Sequence, residues 1–64
     1  MAIVRITMLA GRPVEVKARL IEGITEVLNR EIDPDPSHVR VVIDEVLPEN
    51  YGVAGRYIGQ PRNE

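Results

Sequence analysis

A run with the two-residue period of a strand, a run with the 3.6-residue period of a helix and a second strand-like run follow one another, filling most of the chain. Ala2 to Leu9 comes first. Val4, Ile6 and Met8 fall on one side of it, and Ile3, Arg5, Thr7 and Leu9 on the other. Both sides are largely apolar, which suits a strand covered on two faces. Ala10, Gly11 and Arg12 break the pattern, and Pro13 fits a first helical turn, where its missing N–H costs nothing. From Pro13 to about Ile32 the apolar residues Leu20, Ile21, Ile24, Val27, Leu28 and Ile32 recur at steps of three and four. Charged residues take much of the remaining surface of that helix. Gly23 costs roughly 1 kcal/mol relative to alanine inside a helix, which a close approach to a sheet or another subunit would explain. Asp33-Pro34-Asp35-Pro36-Ser37 ends the helix, because each proline disfavours helical geometry at the residue before it.

Val39 to Val46 is the second strand, with Val39, Val41 and Ile43 on one face and Val42 and Val46 on the other. Two strands joined by a crossover helix pair in parallel through a right-handed connection. The fold class is therefore α/β, built on one β-α-β unit. Beyond Pro48, Gly52 and Gly55 predict tight turns and a short C-terminal hairpin or turn. Gln60 to Glu64 reads as a polar tail that orders only if a neighbour holds it. No internal repeat or linker divides the chain, so residues 1–64 are expected to form a single domain.

Such a unit is short of core. A domain of about 60 residues buries only about 60% of its unfolded surface, and a two-stranded sheet with one helix does not stand alone. Small scaffolds are usually secured by disulfides, a metal or other subunits. There is no cysteine, and the lone His38 makes a metal site only with several well-placed carboxylates. Asp33, Asp35, Asp44 and Glu45 do not have the spacing of a calcium loop, so neither a metal nor another cofactor is expected. Yet 44% of the residues are hydrophobic, mostly Val, Ile and Leu, with Tyr51 and Tyr57 the only aromatics. An aliphatic-rich chain too short to cover itself is expected to bury that surface against further subunits.

Charge narrows the partners. Eight basic and ten acidic residues are scattered along the chain, with no basic block and no aromatic platform, which argues against nucleic acid. No apolar run approaches the ~20 residues that span a bilayer, and the N-terminus lacks the pattern of a signal peptide. No membrane association and a cytoplasmic location are the expectations.

The ordered set of short strand, Leu9-x-Gly11-Arg12, helix of about twenty residues, Val39-Arg40-Val41, an acidic pair ending in Glu45 and Tyr51-Gly52-x-x-Gly55 resembles the 4-oxalocrotonate tautomerase family. The resemblance runs from Ala2 to about Ile58. It implies an isomerase that moves a proton between the enol and keto forms of small carboxylic acids. In that family an N-terminal proline, freed by loss of the initiating methionine, is the general base. Arginines hold the substrate carboxylate, and an aromatic residue late in the chain lines the pocket. Short members commonly assemble as hexamers with pockets built from adjoining subunits. Carried onto this chain, Ala2 stands at the position of the catalytic base, Arg12 and Arg40 match the arginines, and Tyr51 matches the aromatic.

Ala2 is the departure from that pattern. An α-amino group ordinarily titrates at roughly 7.7–8.0, close to working pH, and neighbouring arginines and an apolar pocket both lower it. A primary amine on Ala2 is therefore a competent base once Met1 is removed, though less constrained than a ring nitrogen, and it is able to form a Schiff base with a keto acid. With Met1 retained, the Ala2 nitrogen is an amide and has no such basicity. The implied partners are a small enol or keto carboxylic acid and other subunits of the same type, in a homohexamer, a dimer or a hetero-hexamer. Two rival readings remain: a silent subunit lending Arg12 or Arg40 to a site whose proline lies on another chain, and a non-enzymatic carboxylate-binding module.

Plainer roles stand beside each assignment. Arg12 has the position of an ordinary exposed arginine between a strand and a helix. Arg40, in an apolar strand, fits a salt bridge to Asp44, Glu45 or a neighbouring subunit as readily as a substrate carboxylate. Tyr51 fits a pocket wall or interface better than a proton donor. Tyr57 reads as an interface residue and His38 as a solvated one.

Overall fold

The computed structural model describes residues 1–61. Strand β1 (Ala2–Leu9) leads through a short turn to helix α1 (Val14–Glu31), which returns the chain to strand β2 (Val39–Val46). The two strands pair in parallel, with Ala2 opposite Val39, Ile6 opposite Ile43 and Leu9 opposite Val46. A small antiparallel hairpin follows, β3 (Gly52–Val53) with β4 (Arg56–Tyr57). This is the α/β architecture expected, with parallel strands and a C-terminal hairpin. Short 3₁₀ turns at Pro36–His38 and Pro48–Asn50 lead into and out of the β2 region, and both start on a proline whose fixed φ suits a first helical position. The last three residues of the expected polar tail lie outside the described residues. Gln60 and Pro61 are pinned to the hairpin, since the Arg56 guanidinium donates to the Pro61 carbonyl at 2.8 Å.

Helix α1 begins on Pro13 at φ −63 and ends on Ile32, whose N–H donates to the Leu28 carbonyl. Glu15 in its first turn and Arg30 in its last complement the helix dipole. One stripe, Val16, Leu20, Ile24 and Leu28, is half-buried, and its four-residue spacing keeps it on a single face. That stripe meets the alternate residues Ala2, Val4, Ile6 and Met8 of β1 and Val39, Val41 and Ile43 of β2, which are half-buried or, for Val39, buried. Lys17 clamps the start of the helix to the end of β2 through Glu45, Nζ to Oε1 at 2.7 Å.

The helix covers one face of the sheet and leaves the other bare. Ile3, Arg5, Thr7, Arg40 and Val42 on that second face are exposed, crossed by an Arg5–Asp44 pair at 3.5 Å. Ile21, Val27 and Ile32 of the predicted apolar helix face also remain exposed, so that face is wider than one sheet can cover. Among the described residues, nothing outside the helix's own nearby backbone lies within 4 Å of where a Gly23 side chain would begin. The sheet of its own chain therefore does not account for that glycine.

Val39 is the only buried hydrophobic residue described. The radius of gyration is 16.0 Å, against about 11 Å for a compact chain of this length. The accessible surface is 5079 Å², against about 4,100 Å² for a self-contained monomer of this mass. The excess, of order 1,000 Å², is what one partner of a stable complex ordinarily buries.

Candidate functional site

At the N-terminal end of the parallel pair, Ala2 faces Val39 across the ladder, and Arg40 is the next residue along β2, opposite Ile3. Sheet alternation sends Ala2 and Val39 to the helix-covered face and Arg40 to the bare one. The Arg40 guanidinium does not reach Asp44 or Glu45. Asp44 pairs with Arg5 and Glu45 with Lys17. Its Nη1 donates instead to the Ser37 carbonyl at 2.6 Å and, more weakly, to that of Val39 at 3.4 Å. Among the described residues the guanidinium thus contacts backbone carbonyls, not a carboxylate, and its charge is not neutralised by them.

The turn that supplies the Ser37 carbonyl is stitched by side chains. Asp33 Oδ1 accepts the Asp35 N–H at 3.0 Å, and Asp35 Oδ1 accepts the Ser37 N–H at 2.9 Å and its hydroxyl at 2.7 Å. These are two successive turns in which an aspartate caps the N–H two residues on. Asn29 ties the turn to the helix by donating to the Asp33 carbonyl at 2.7 Å. His38 Nδ1 lies 2.8 Å from Asp33 Oδ2 and its Nε2 lies 3.5 Å from Asp35 Oδ2. The Asp33 carboxyl is held below its ordinary value, first by the Asp35 N–H, then by the hydrogen bond to His38; the chain's N-terminal ammonium adds a smaller pull. That last influence places the N-terminus within electrostatic reach of the turn. His38 is about half exposed, as expected, but it is engaged with two carboxylates. Among the described residues no three His, Asp or Glu side chains converge as metal ligands.

Arg12 and Tyr51 stand at the opposite end. Gly11 has φ +125, a conformation open to glycine and strained for other residues, and it turns the chain out of β1. Arg12 follows, exposed, with Nη1 3.4 Å from the Leu9 carbonyl. Pro13 sets the helix start directly after it, so Arg12 sits where the helix dipole favours an anion. Tyr51 comes after β2 and the Pro48–Asn50 turn, with its carbonyl accepting the Ile58 N–H at 3.0 Å. The residue is 39% exposed.

The eight-residue β1 separates these two ends by about 23 Å at the usual rise per residue. The chain therefore brings Ala2 and Arg40 together at one pole and leaves Arg12 and Tyr51 at the other. Sequence reasoning singled out all four positions, but it missed the Asp33–His38–Asp35–Ser37 support beneath Arg40. The signal was present in the alternation Asp-x-Asp-x-Ser, where each aspartate has an N–H two residues ahead.

A parallel β-α-β unit with a terminal hairpin and an exposed arginine at each end of its sheet has the form of a small tautomerase subunit. The family model of the Tautomerase enzyme matches residues 3–60, and the chain belongs to that family. A Halalkalibacterium halodurans protein named as a probable tautomerase is 40% identical over 58 residues, 91% of this chain and 95% of its own length. The 2-hydroxymuconate tautomerase of Pseudomonas putida is 34% identical over 62 residues, 97% of this chain and 98% of its own. Among solved structures, a chain of the heterohexamer 4-oxalocrotonate tautomerase of Chloroflexus aurantiacus superposes with a TM-score of 0.84 at 35% identity. It covers 97% of this chain and all of that one.

Proposed function

We propose that this chain is a subunit of an isomerase that moves a proton between the enol and keto forms of small acids bearing one or two carboxylates. With Met1 removed, the Ala2 amine is the base that takes the proton from one end of the enol system and returns it at the other. Arg40 and Arg12 hold the carboxylate and stabilise negative charge that develops on the substrate oxygen. Tyr51 supplies an apolar wall. The observation that carries this reading is the register of the parallel pair: with Ala2 opposite Val39, the position of the base lies one residue from Arg40.

The separation of the two poles implies that the complete pocket takes residues from more than one chain. A neighbour running in the opposite sense sets its Arg12 and Tyr51 against the Ala2 and Arg40 of the first chain. A homohexamer is the assembly proposed, in line with the excess surface of the single subunit.

The test follows 2-hydroxymuconate, the substrate class in the name of the Pseudomonas relative, by absorbance with this chain and with Ala2→Pro in parallel. Ala2→Pro is expected to gain one to two orders of magnitude in kcat, because fixing the base recovers precise placement. If neither chain turns over, the arginines are not arranged for such acids and the reading fails.

Two observations favour a second reading. Alanine at position 2 and the heterohexameric relative together suit a silent subunit that lends an arginine to a proline on another chain. Mixing this chain with a Met-Pro homologue and finding activity that neither shows alone is the outcome this second reading requires.

A further inference from the structure

We infer that His38 is a positioning residue for Arg40: it holds the turn whose Ser37 carbonyl orients the guanidinium. The inference rests on the carboxylate-binding role proposed for Arg40, but the contact chain itself does not. That chain is made of hydrogen bonds at every step but one, the longer ionic contact between His38 and Asp35. Asp33 Oδ2 meets His38 Nδ1 at 2.8 Å, His38 Nε2 meets Asp35 Oδ2 at 3.5 Å, Asp35 Oδ1 accepts both the N–H and hydroxyl of Ser37, and the Ser37 carbonyl accepts Arg40 Nη1 at 2.6 Å.

The chemistry of the imidazole explains why this residue type fits. Both ring nitrogens face carboxylates: Nδ1 is hydrogen-bonded to Asp33, whereas Nε2 and Asp35 attract one another as an ion pair only when the ring is charged. A neutral ring keeps the hydrogen bond to Asp33 but gives up the ionic contact with Asp35. Asp35 is the residue that fixes Ser37, so the loss is felt at the carbonyl that Arg40 uses. A long arginine side chain retains many rotamers unless something holds it, and this carbonyl is its shortest contact. The charged groups in contact with the ring are Asp33 and Asp35 in the turn, the N-terminal ammonium acts on Asp33 from the β1 side, and Arg40 follows two residues along on β2, with its guanidinium on the Ser37 carbonyl. At the helix end Arg30 and Glu31 are occupied with each other at 3.0 Å.

A ligand-free measurement separates this inference from the function on which it draws. With ¹³C-labelled arginine, the Arg40 Cζ resonance is followed between roughly pH 5 and 8, the range in which histidine charge ordinarily changes. It is expected to move with the same midpoint as the His38 ring signals in the unmodified chain. It is expected to stay flat in His38→Asn, which keeps one N–H donor for Asp33 but does not titrate. An Arg40 signal that ignores His38 ionisation, or that moves alike in His38→Asn, overturns the inference.

Fumarate is the binding probe. His38→Ala is expected to weaken it roughly threefold to tenfold, with His38→Asn restoring most of the loss because the Asp33 contact returns. Fumarate binding that is the same in His38→Ala and the unmodified chain also overturns the inference while leaving the carboxylate-binding reading intact. No fumarate binding to either chain counts against that reading, and the Arg40 resonance then decides the inference alone. If His38→Ala does not fold, the Arg40 resonance in His38→Asn against the unmodified chain decides the inference.

Discussion

Ala54 shows at a single residue what the chain gives up to turn tightly. It sits with Gly55 at the tip of the β3–β4 hairpin, and both have positive φ, 53 and 84. Two-residue hairpins with both central residues in the left-handed region match the twist of their strands, and they favour Asn-Gly. Alanine there carries steric strain of about 1–2 kcal/mol, whereas asparagine tolerates the conformation better. Ala54→Asn is therefore expected to raise stability by about 0.5–1 kcal/mol, a shift of several degrees in Tm for a domain this size. Thermal unfolding at matched concentration checks it; an unchanged or lower Tm rejects the strain argument. This strain was not legible in the sequence, which predicted a turn from Gly52 and Gly55 and did not place Ala54 in the left-handed region. Arg40 shows the same limit. Its type and position pointed to a carboxylate or a salt bridge, yet the contact it makes is to a backbone carbonyl set by residues 33–38.

At the scale of elements, the two strands and the helix were legible because each has one period and a marked end. Gly11 and Pro13 separate β1 from α1, and the two prolines at 34 and 36 close the helix. Less legible was how the apolar residues divide between neighbours. Leu20, Ile24 and Leu28 face the sheet while Ile21, Val27 and Ile32 do not, and periodicity alone does not tell a covered face from one awaiting a partner. The connection from α1 to β2 makes a prediction of its own. The Asp33 carboxyl titrates below its ordinary value because the folded turn favours its charged form. A carboxyl depressed in this way contributes stability that is fully present above the ordinary carboxylate range, and that is lost as pH falls through the lowered value. Asp33→Asn keeps an oxygen for the Asp35 N–H but removes the charge beside His38. It is expected to be less stable than the unmodified chain near neutrality, with the gap closing below the usual carboxylate range. Acid unfolding curves of the two chains measure this; a gap independent of pH means the charge is not what the turn uses.

The whole molecule is a half-finished object when taken as one chain. One sheet face is covered and the other is open, both outer edges of the two-stranded sheet are unpaired among the described residues, and the proposed functional positions lie at two poles. These facts share one remedy. A neighbour on the open face buries Ile3 and Val42, and paired edges remove the open strand template that soluble proteins otherwise have to blunt. In the assembly proposed above, such a neighbour would also join Ala2 and Arg40 of one chain to Arg12 and Tyr51 of another. Val42 is suited to testing this, since it is on the bare face and away from the helix-facing stripe. Val42→Asp sets a carboxylate where an apolar partner surface is expected, and an unpaired buried charge is costly. The unmodified chain is expected to sediment as a stable oligomer, with a Tm that rises with protein concentration, because assembly binds the folded state alone. Val42→Asp is expected to dissociate and to lose most of its stability, whereas a charge change on the outer helix surface, such as Glu26→Lys, leaves both measurements nearly unaltered. A folded, concentration-independent monomer for the unmodified chain would show that one β-α-β unit suffices, and the shared-pocket reading would fall with it.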